Sequence, residues 1–239
     1  MNFSNKTKRL MLIAGITLAA ACAITPIHSR LVQAGFFAGP VLAWCGLFLM
    51  NGRARKIALL LTAIPVIAVL LLALPAKPID QNQLRTDYLA RMRTFDGTRY
   101  VWGGESSLGI DCSGLPRRAL RDALSSEAWK HANGFAFRSW LEQWWYDSSA
   151  LAMSQAHRGA TRSLDLSAPL WEFDESKLLP GDLAIKDNGR HVVVFLGNHQ
   201  WIEADPTLAK VHIWTPAPSD GAWYADMNLY RWVIFEPKG

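Results

Sequence analysis

Hydrophobic positions are distributed unevenly along this chain. Three apolar stretches, residues 10–27, 31–50 and 57–74, contain no Asp, Glu, Lys or Arg, and each is close to the roughly 20 residues that carry a helix across a bilayer. None has a polar face of helical period, so the pattern predicts three membrane-spanning helices rather than buried helices of a globular core. From Pro75 the pattern changes. Pro75, Pro78 and the polar run from Asp80 to Gln83 predict a short connector, and Leu84 to Phe95 predicts a helix entering a second domain. Further on, good helix formers dominate after Ser113, whereas His191 to Leu196 and about Gln200 to Ala204 are strand-like runs separated by a Gly-Asn turn. The expected organisation is a membrane anchor over 1–78 and a globular domain over 79–239.

Charge sharpens this division. The first 79 residues carry eight Lys or Arg and no acid, while the remainder carries seventeen basic against twenty acidic residues. The basic balance of the whole chain therefore belongs to the anchor, and no basic stripe in the globular part supports nucleic-acid binding. Cations also orient the anchor. Lys6, Lys8 and Arg9 precede the first span, Arg53, Arg55 and Lys56 lie between the second and third, and the first loop holds only Arg30. The positive-inside rule then predicts a cytoplasmic N-terminus and a globular domain on the outer side of the membrane. A competing reading takes Lys6 to Ala21 as a signal peptide, with Leu-Ala-Ala-Ala before Cys22 as a lipoprotein-type cleavage site. It leaves the globular domain on the same side.

Three cysteines are present, two of them in apolar stretches. Only Cys112 falls in the polar part, which excludes a disulfide framework there, and no CxxC, HExxH or clustered histidines mark a zinc site. Cys112 lies in the run Tyr100-Val-Trp-Gly-Gly-Glu-Ser-Ser-Leu-Gly-Ile-Asp-Cys-Ser-Gly-Leu115, where glycines at 103, 104 and 109 mark a tight loop before a helix. A helix N-terminus favours the thiolate form of a cysteine placed there, and Pro116 fits a first turn.

The second informative run is Leu179-Pro-Gly-Asp-Leu, continuing through His191-Val-Val-Val-Phe-Leu to Asp205. It predicts a β-hairpin with His191 at its entrance. A three-residue turn would put Val193 opposite Glu203 and His191 opposite Asp205. A two-residue turn would throw Glu203 to the other face. Glu203 and Asp205 remain rivals as the partner of His191.

Together the two blocks resemble the NlpC-type cell-wall cysteine peptidases, a papain-like family with a Tyr-x-Trp-Gly-Gly…Asp-Cys-Ser-Gly block and a later Pro-Gly-Asp-Leu…His-Val block. The resemblance covers roughly residues 84–210. It implies an α+β papain-like domain, with N-terminal helices bearing Cys112 packed on an antiparallel sheet bearing His191. It also implies Cys112 as nucleophile, His191 as general base, and the residue twelve positions later, Glu203, as the group orienting it. That position is often His, Asn or Gln in the family, so Glu203 is a departure. Tyr100, Asp111 and Ser113 match positions that line the cleft and hold the polar end of a peptidoglycan stem peptide. The implied reaction is hydrolysis of a stem-peptide amide at a bacterial cytoplasmic membrane, either the D-γ-glutamyl to diamino-acid bond, which the resemblance favours, or the bond between muramic acid and L-Ala. It requires no metal or organic cofactor.

Two other classes fit parts of the pattern. A thioacyl enzyme can pass its acyl group to an amine or lipid, and a decayed peptidase fold could serve as a wall-binding protein. Cys112 preceding His191 disfavours the first, and the complete Cys-His-polar set disfavours the second. His131, His157, His199 and His212 are read as ordinary surface or core histidines. Trp129, Trp140, Trp144, Trp145 and Trp171, crowded into residues 125–177, are expected chiefly to pack a core, with some walling the cleft or meeting the outer leaflet.

Overall fold

The computed structural model describes residues 3–146, 149–186 and 189–236. The chain divides into two compact units at the Leu74–Pro75 junction.

The first unit is helical, with α1 Asn5–Ile24, α2 Arg30–Phe48, α3 Arg53–Leu61 and α4 Ala63–Leu72. Ser4 and Ser29 cap α1 and α2 by accepting from the N–H groups of Thr7 and Val32. The two helices pack closely because small residues face each other. A Cβ on Gly39 would lie 2.7 Å from the Ala19 nitrogen, so only glycine admits this approach. The third apolar stretch breaks at Thr62, three residues before Pro65, whose missing N–H cannot continue the ladder. Arg53–Leu72 nonetheless qualifies, with Asn5–Ile24 and Arg30–Phe48, as a helical segment long and apolar enough to cross a membrane.

The second unit is a mixed α+β domain. Asp80 caps α5, Gln81–Arg93, which buries Leu84, Tyr88 and Met92 at helical spacing. A two-stranded hairpin, β1 Glu105–Ser106 and β2 Gly109–Ile110, leads into α6, Gly114–His131. Helix α6 buries Leu115, Ala119, Leu120, Ala123, Leu124 and Ala128, and its alanines let α5 and α7, Gly134–Trp145, approach it. A short α8, Ala150–Ser154, follows.

The sheet comprises β3 Thr161–Ala168, β4 Leu183–Lys186, β5 His191–Gly197, β6 Gln200–Asp205, β7 Lys210–Trp214 and β8 Met227–Trp232. It is antiparallel throughout, in the order β3-β8-β4-β5-β6-β7. Val193, Phe195, Ala184, Met227, Leu229 and Trp201 form one core cluster with Leu170 and Leu178. Strand β5 is buried from His191 to Leu196 because it lies inside the sheet with both faces covered.

The Pro-Gly-Asp-Leu block ties strands together. Asp182 accepts a two-pronged pair of 2.6 Å hydrogen bonds from Arg231 of β8 and a 2.8 Å bond from the Leu179 N–H. Gly181, at φ 101°, donates to the Phe195 carbonyl of β5 at 2.7 Å.

The tryptophans of residues 125–177 do not build the core. None of its five tryptophans is fully buried, and Trp129 is 64% exposed. Helices α6 and α7 turn their small residues and Phe137 inward, which leaves the larger indoles on outer faces. Trp129 packs edge-on against Phe137 at 5.0 Å. The buried indoles belong to Trp201 and Trp232, on strands.

Candidate active site

Cys112 stands two residues before α6 and is 8% exposed. Asp111 shapes that junction. One carboxylate oxygen accepts from the Gly114 N–H at 2.6 Å and the Ser113 hydroxyl at 3.0 Å, and the other accepts from the Gly103 N–H at 2.8 Å. A single side chain thus caps the helix and pins the glycine loop. Burial raises the Asp111 pKa, and these hydrogen bonds oppose the rise. A Cβ on Gly114 would strike the Gly104 carbonyl, so the loop folds directly over the helix start.

Behind this loop lies a buried ionic cluster. Glu105 of β1 pairs with Arg117 and, at 3.1 Å, with Arg121, while Arg118 donates to the Glu105 carbonyl at 3.1 Å. All three arginines belong to α6, so the hairpin is bolted to the helix that positions Cys112.

Tyr100 approaches from the other side. Its N–H donates to the Ala209 carbonyl at 2.8 Å and its backbone bridges Ile110, linking the β6–β7 turn to the cysteine loop. Burial raises the phenol pKa, and the charges of Cys112 and Asp111 raise it further, which puts its hydroxyl in their company.

His191 opens β5 and is 1% exposed. Its Nε2 meets the Glu203 carboxylate of β6, and its ring also hydrogen-bonds Cys112. With Nε2 committed to Glu203, Nδ1 is the nitrogen left for the thiol. The hairpin reaches this register by a route between the two expected ones. Its turn is a two-residue one, Asn198 and His199 at φ 53° and 59°, joining Gly197 to Gln200. A bulge at Leu196 then shifts the pairing to Phe195↔Trp201 and Val194↔Ile202. Continued inward, that register sets Glu203 across from Val193 and diagonal to His191. Asp205 accepts from the Thr207 N–H at 2.6 Å, which engages it in the β6–β7 turn.

Glu203 is fully buried, and its second oxygen accepts from His212 Nε2 at 3.1 Å and from the Tyr224 hydroxyl at 2.6 Å. Burial alone would raise its pKa, but the hydrogen bonds from His191, His212 and Tyr224, with the charge of His191, hold it down at about 2. Burial alone would lower the pKa of His191, but its hydrogen bonds to Cys112 and Glu203 and their negative charges lift it to about 10. Glu203, Asp205 and His212 present donor atoms within 4.8 Å of one another, a set suited to a divalent cation. A cation there would compete with the hydrogen bonds that Glu203 already accepts.

These shifts make stability depend on pH from both sides. The Glu203 share is present above its ordinary value of 4.5 and is lost as pH falls toward about 2. The His191 share is complete below its ordinary value of 6.5 and is lost as pH rises through about 10. The difference in melting temperature between wild type and Glu203→Gln, followed by calorimetry in detergent, is expected to be greatest near pH 5 to 6 and to shrink on both sides. A difference that does not vary with pH would refute this account of the pair.

Four neighbours escaped the sequence reading. His212 is paired directly across from Glu203 in β7, a position legible only once the β6–β7 turn is drawn, and it stacks on Trp214 at 4.7 Å. Tyr224 and Trp223 come from a 3₁₀ turn before β8, with no local signal. Trp223 lies 5.8 Å from the His191 ring. Lys186, across β4–β5 from His191, places its ammonium 5.2 Å from the Trp223 ring. On the opposite side of the site, Trp102 in the cysteine loop is 79% exposed.

A cysteine just before a helix N-terminus, meeting a strand-borne histidine that is backed by a buried carboxylate, defines an α+β domain with a Cys-His-Glu site. The model of the NlpC/P60 family matches residues 97–229, more than half of the chain, and the chain belongs to that family. This bears out the resemblance carried by the two sequence blocks. Solved structures to which this chain is similar include the P60 domain of an antigen from M. avium subspecies paratuberculosis, with 21% identity and TM-score 0.41, covering 66% of this chain and all of that one. The peptidoglycan hydrolase RipB from Mycobacterium tuberculosis matches with 18% identity and TM-score 0.42, over 99% of this chain and 88% of that one. The NlpC/p60 domain of the peptidoglycan hydrolase SagA matches with 21% identity and TM-score 0.34, over 61% and 96%. None of the curated proteins matches.

Proposed function

We propose that this protein is a membrane-anchored, papain-like cysteine peptidase that hydrolyses an amide bond of peptidoglycan stem peptides, the D-γ-glutamyl to diamino-acid bond. The observation that carries the reading is the convergence of Cys112, His191 and Glu203, in which one imidazole has both a thiol and a buried carboxylate as hydrogen-bond partners. Membership of the NlpC/P60 family supports the cell-wall substrate.

In this reading the Cys112 sulfur attacks the scissile carbonyl carbon, and the oxyanion is received by the Cys112 backbone N–H at the helix start. His191 delivers a proton to the departing amine as the C–N bond breaks, leaving a thioester. It then takes a proton from water, whose oxygen attacks the thioester and restores the thiolate. Glu203 orients the ring and stabilises the imidazolium. Tyr100, Asp111 and Ser113 face the polar end of the stem peptide, and the exposed faces of Trp102 and Trp223 flank the cleft. No step calls on a metal or organic cofactor.

Residues 1–78 anchor the enzyme in the bacterial cytoplasmic membrane, and 79–239 work on its outer side. Support comes from three helical segments of about 20 residues and from apolar side chains such as Leu31, Leu60 and Leu70 that stand exposed on them. The flanking cations set the orientation.

The test is digestion of purified muropeptides by the full-length protein in detergent, read by mass spectrometry. Expected are two fragments that add up to the substrate plus one water and meet at the γ-glutamyl bond, with both absent for Cys112→Ala. A folded wild-type protein that leaves the stem intact would sink the proposal.

A further inference from the structure

Glutamate is a demanding choice for the residue behind the histidine. Its side chain has more rotatable bonds than His or Asn, and a buried carboxylate with one partner would either protonate or swing away. Here the carboxylate is held at both ends. Oε2 faces His191, while Oε1 accepts from the His212 Nε2–H at 3.1 Å and the Tyr224 O–H at 2.6 Å. The two donors come from different elements, His212 from β7 directly across the ladder from Glu203 and Tyr224 from the turn preceding β8. Trp214 locks both, stacking on His212 at 4.7 Å and 17° and meeting Tyr224 at 5.7 Å. Asp205 lies 3.8 Å from the same His212 nitrogen, and the charge of Asp220 also reaches Tyr224. The outer oxygen therefore has two dedicated donors, one of them short.

We infer that His212 and Tyr224 are positioning residues that clamp Glu203 as an ionised, inward-facing carboxylate, so that the functional unit is a Cys-His-Glu relay with a His/Tyr clamp behind it. This rests on the relay proposed above. Neither residue touches substrate. Each acts through Glu203, whose charge favours the imidazolium and hence the thiolate opposite it. Tyr224 suits the task because burial and the Glu203 charge push its phenol pKa well up, which keeps the hydroxyl a donor across the working pH range.

The test uses the full-length protein in detergent with Tyr224→Phe, His212→Leu and His212→Gln. Two quantities are read: kcat and KM on muropeptides, and the pH dependence of iodoacetamide alkylation at Cys112, followed by peptide mass spectrometry so that Cys22 and Cys45 do not contribute. Tyr224→Phe and His212→Leu are each expected to lower kcat about 10-fold with KM unchanged, the equivalent of one charge-assisted hydrogen bond. The acid limb of Cys112 alkylation is expected to move up by about one pH unit as the thiolate loses its charged support. His212→Gln, which keeps an N–H donor, recovers most of the loss. Variants that melt earlier but keep the wild-type kcat and alkylation limb would reduce the clamp to a structural contact and overturn the inference. A wild-type enzyme that alkylates at Cys112 but cuts no muropeptide would sink the proposed reaction alone, and the shift of the limb would still decide the clamp.

Discussion

Replacement of His191 by Ala is expected to lower muropeptide turnover about 10⁴-fold, since in the proposed mechanism the change removes the proton shuttle and the cationic partner of the thiolate together. Among the described residues no other imidazole stands beside Cys112. The second imidazole in the cluster, His212, is separated from Cys112 by the Glu203 carboxylate, to which it donates. The substrate contacts proposed for Tyr100, Asp111 and Ser113 are untouched, so KM is expected to stay within a few-fold of wild type while kcat collapses. Alkylation of Cys112 near pH 6 should slow in the same variant, because the thiol then has no adjacent imidazolium. Turnover within 10-fold of wild type would remove His191 from the chemistry.

The second large effect concerns stability. Glu105→Ala takes away the carboxylate that both Arg117 and Arg121 face, in a cluster where the acid is 4% exposed and the two guanidinium side chains 9% and 6%. Breaking a buried ion pair by removing one partner costs about 3–5 kcal/mol, because the remaining charge keeps its desolvation penalty without its compensation. The loss is expected in full-length protein as a lower unfolding midpoint of the globular domain, followed by tryptophan fluorescence. Activity should fall with it, since Glu105 anchors the hairpin lying between the Gly103–Gly104 turn and Cys112. A stability change below about 1 kcal/mol would mean that the arginines find other partners, and would contradict the bolting role assigned to Glu105.

Much of the architecture was legible in local pattern. Uncharged runs of spanning length marked the three apolar segments, and the run from Leu84 to Phe95 marked α5, although the helix begins earlier, at Gln81, because Asp80 caps it from what read as a connector. The β5–β6 hairpin was visible in its branched and aromatic runs. Cys112 and His191 were legible because each sits in a block whose glycines, proline and acid perform backbone tasks: Asp111 caps α6, Gly114 admits the loop, and Asp182 with Gly181 holds β5 and β8. Such tasks leave a trace in sequence because they depend on near neighbours.

The rest was decided in three dimensions. Whether Glu203 or Asp205 meets His191 turned on a bulge at Leu196, a one-residue offset that alternation cannot reveal when every residue from His191 to Leu196 is buried. The indoles of α6 and α7 stayed out of the core, with Trp129 and Trp145 exposed, because packing between the two helices favoured small residues at the contact, a preference that composition does not report. His212, Tyr224 and Trp223 entered the site from 9, 21 and 20 residues beyond Glu203, and Arg117 and Arg121 found Glu105 across a loop. For Glu203 and Glu105 the deciding term was the cost of burying a charge without a partner, a cost that depends on burial and therefore exists only once the chain has folded.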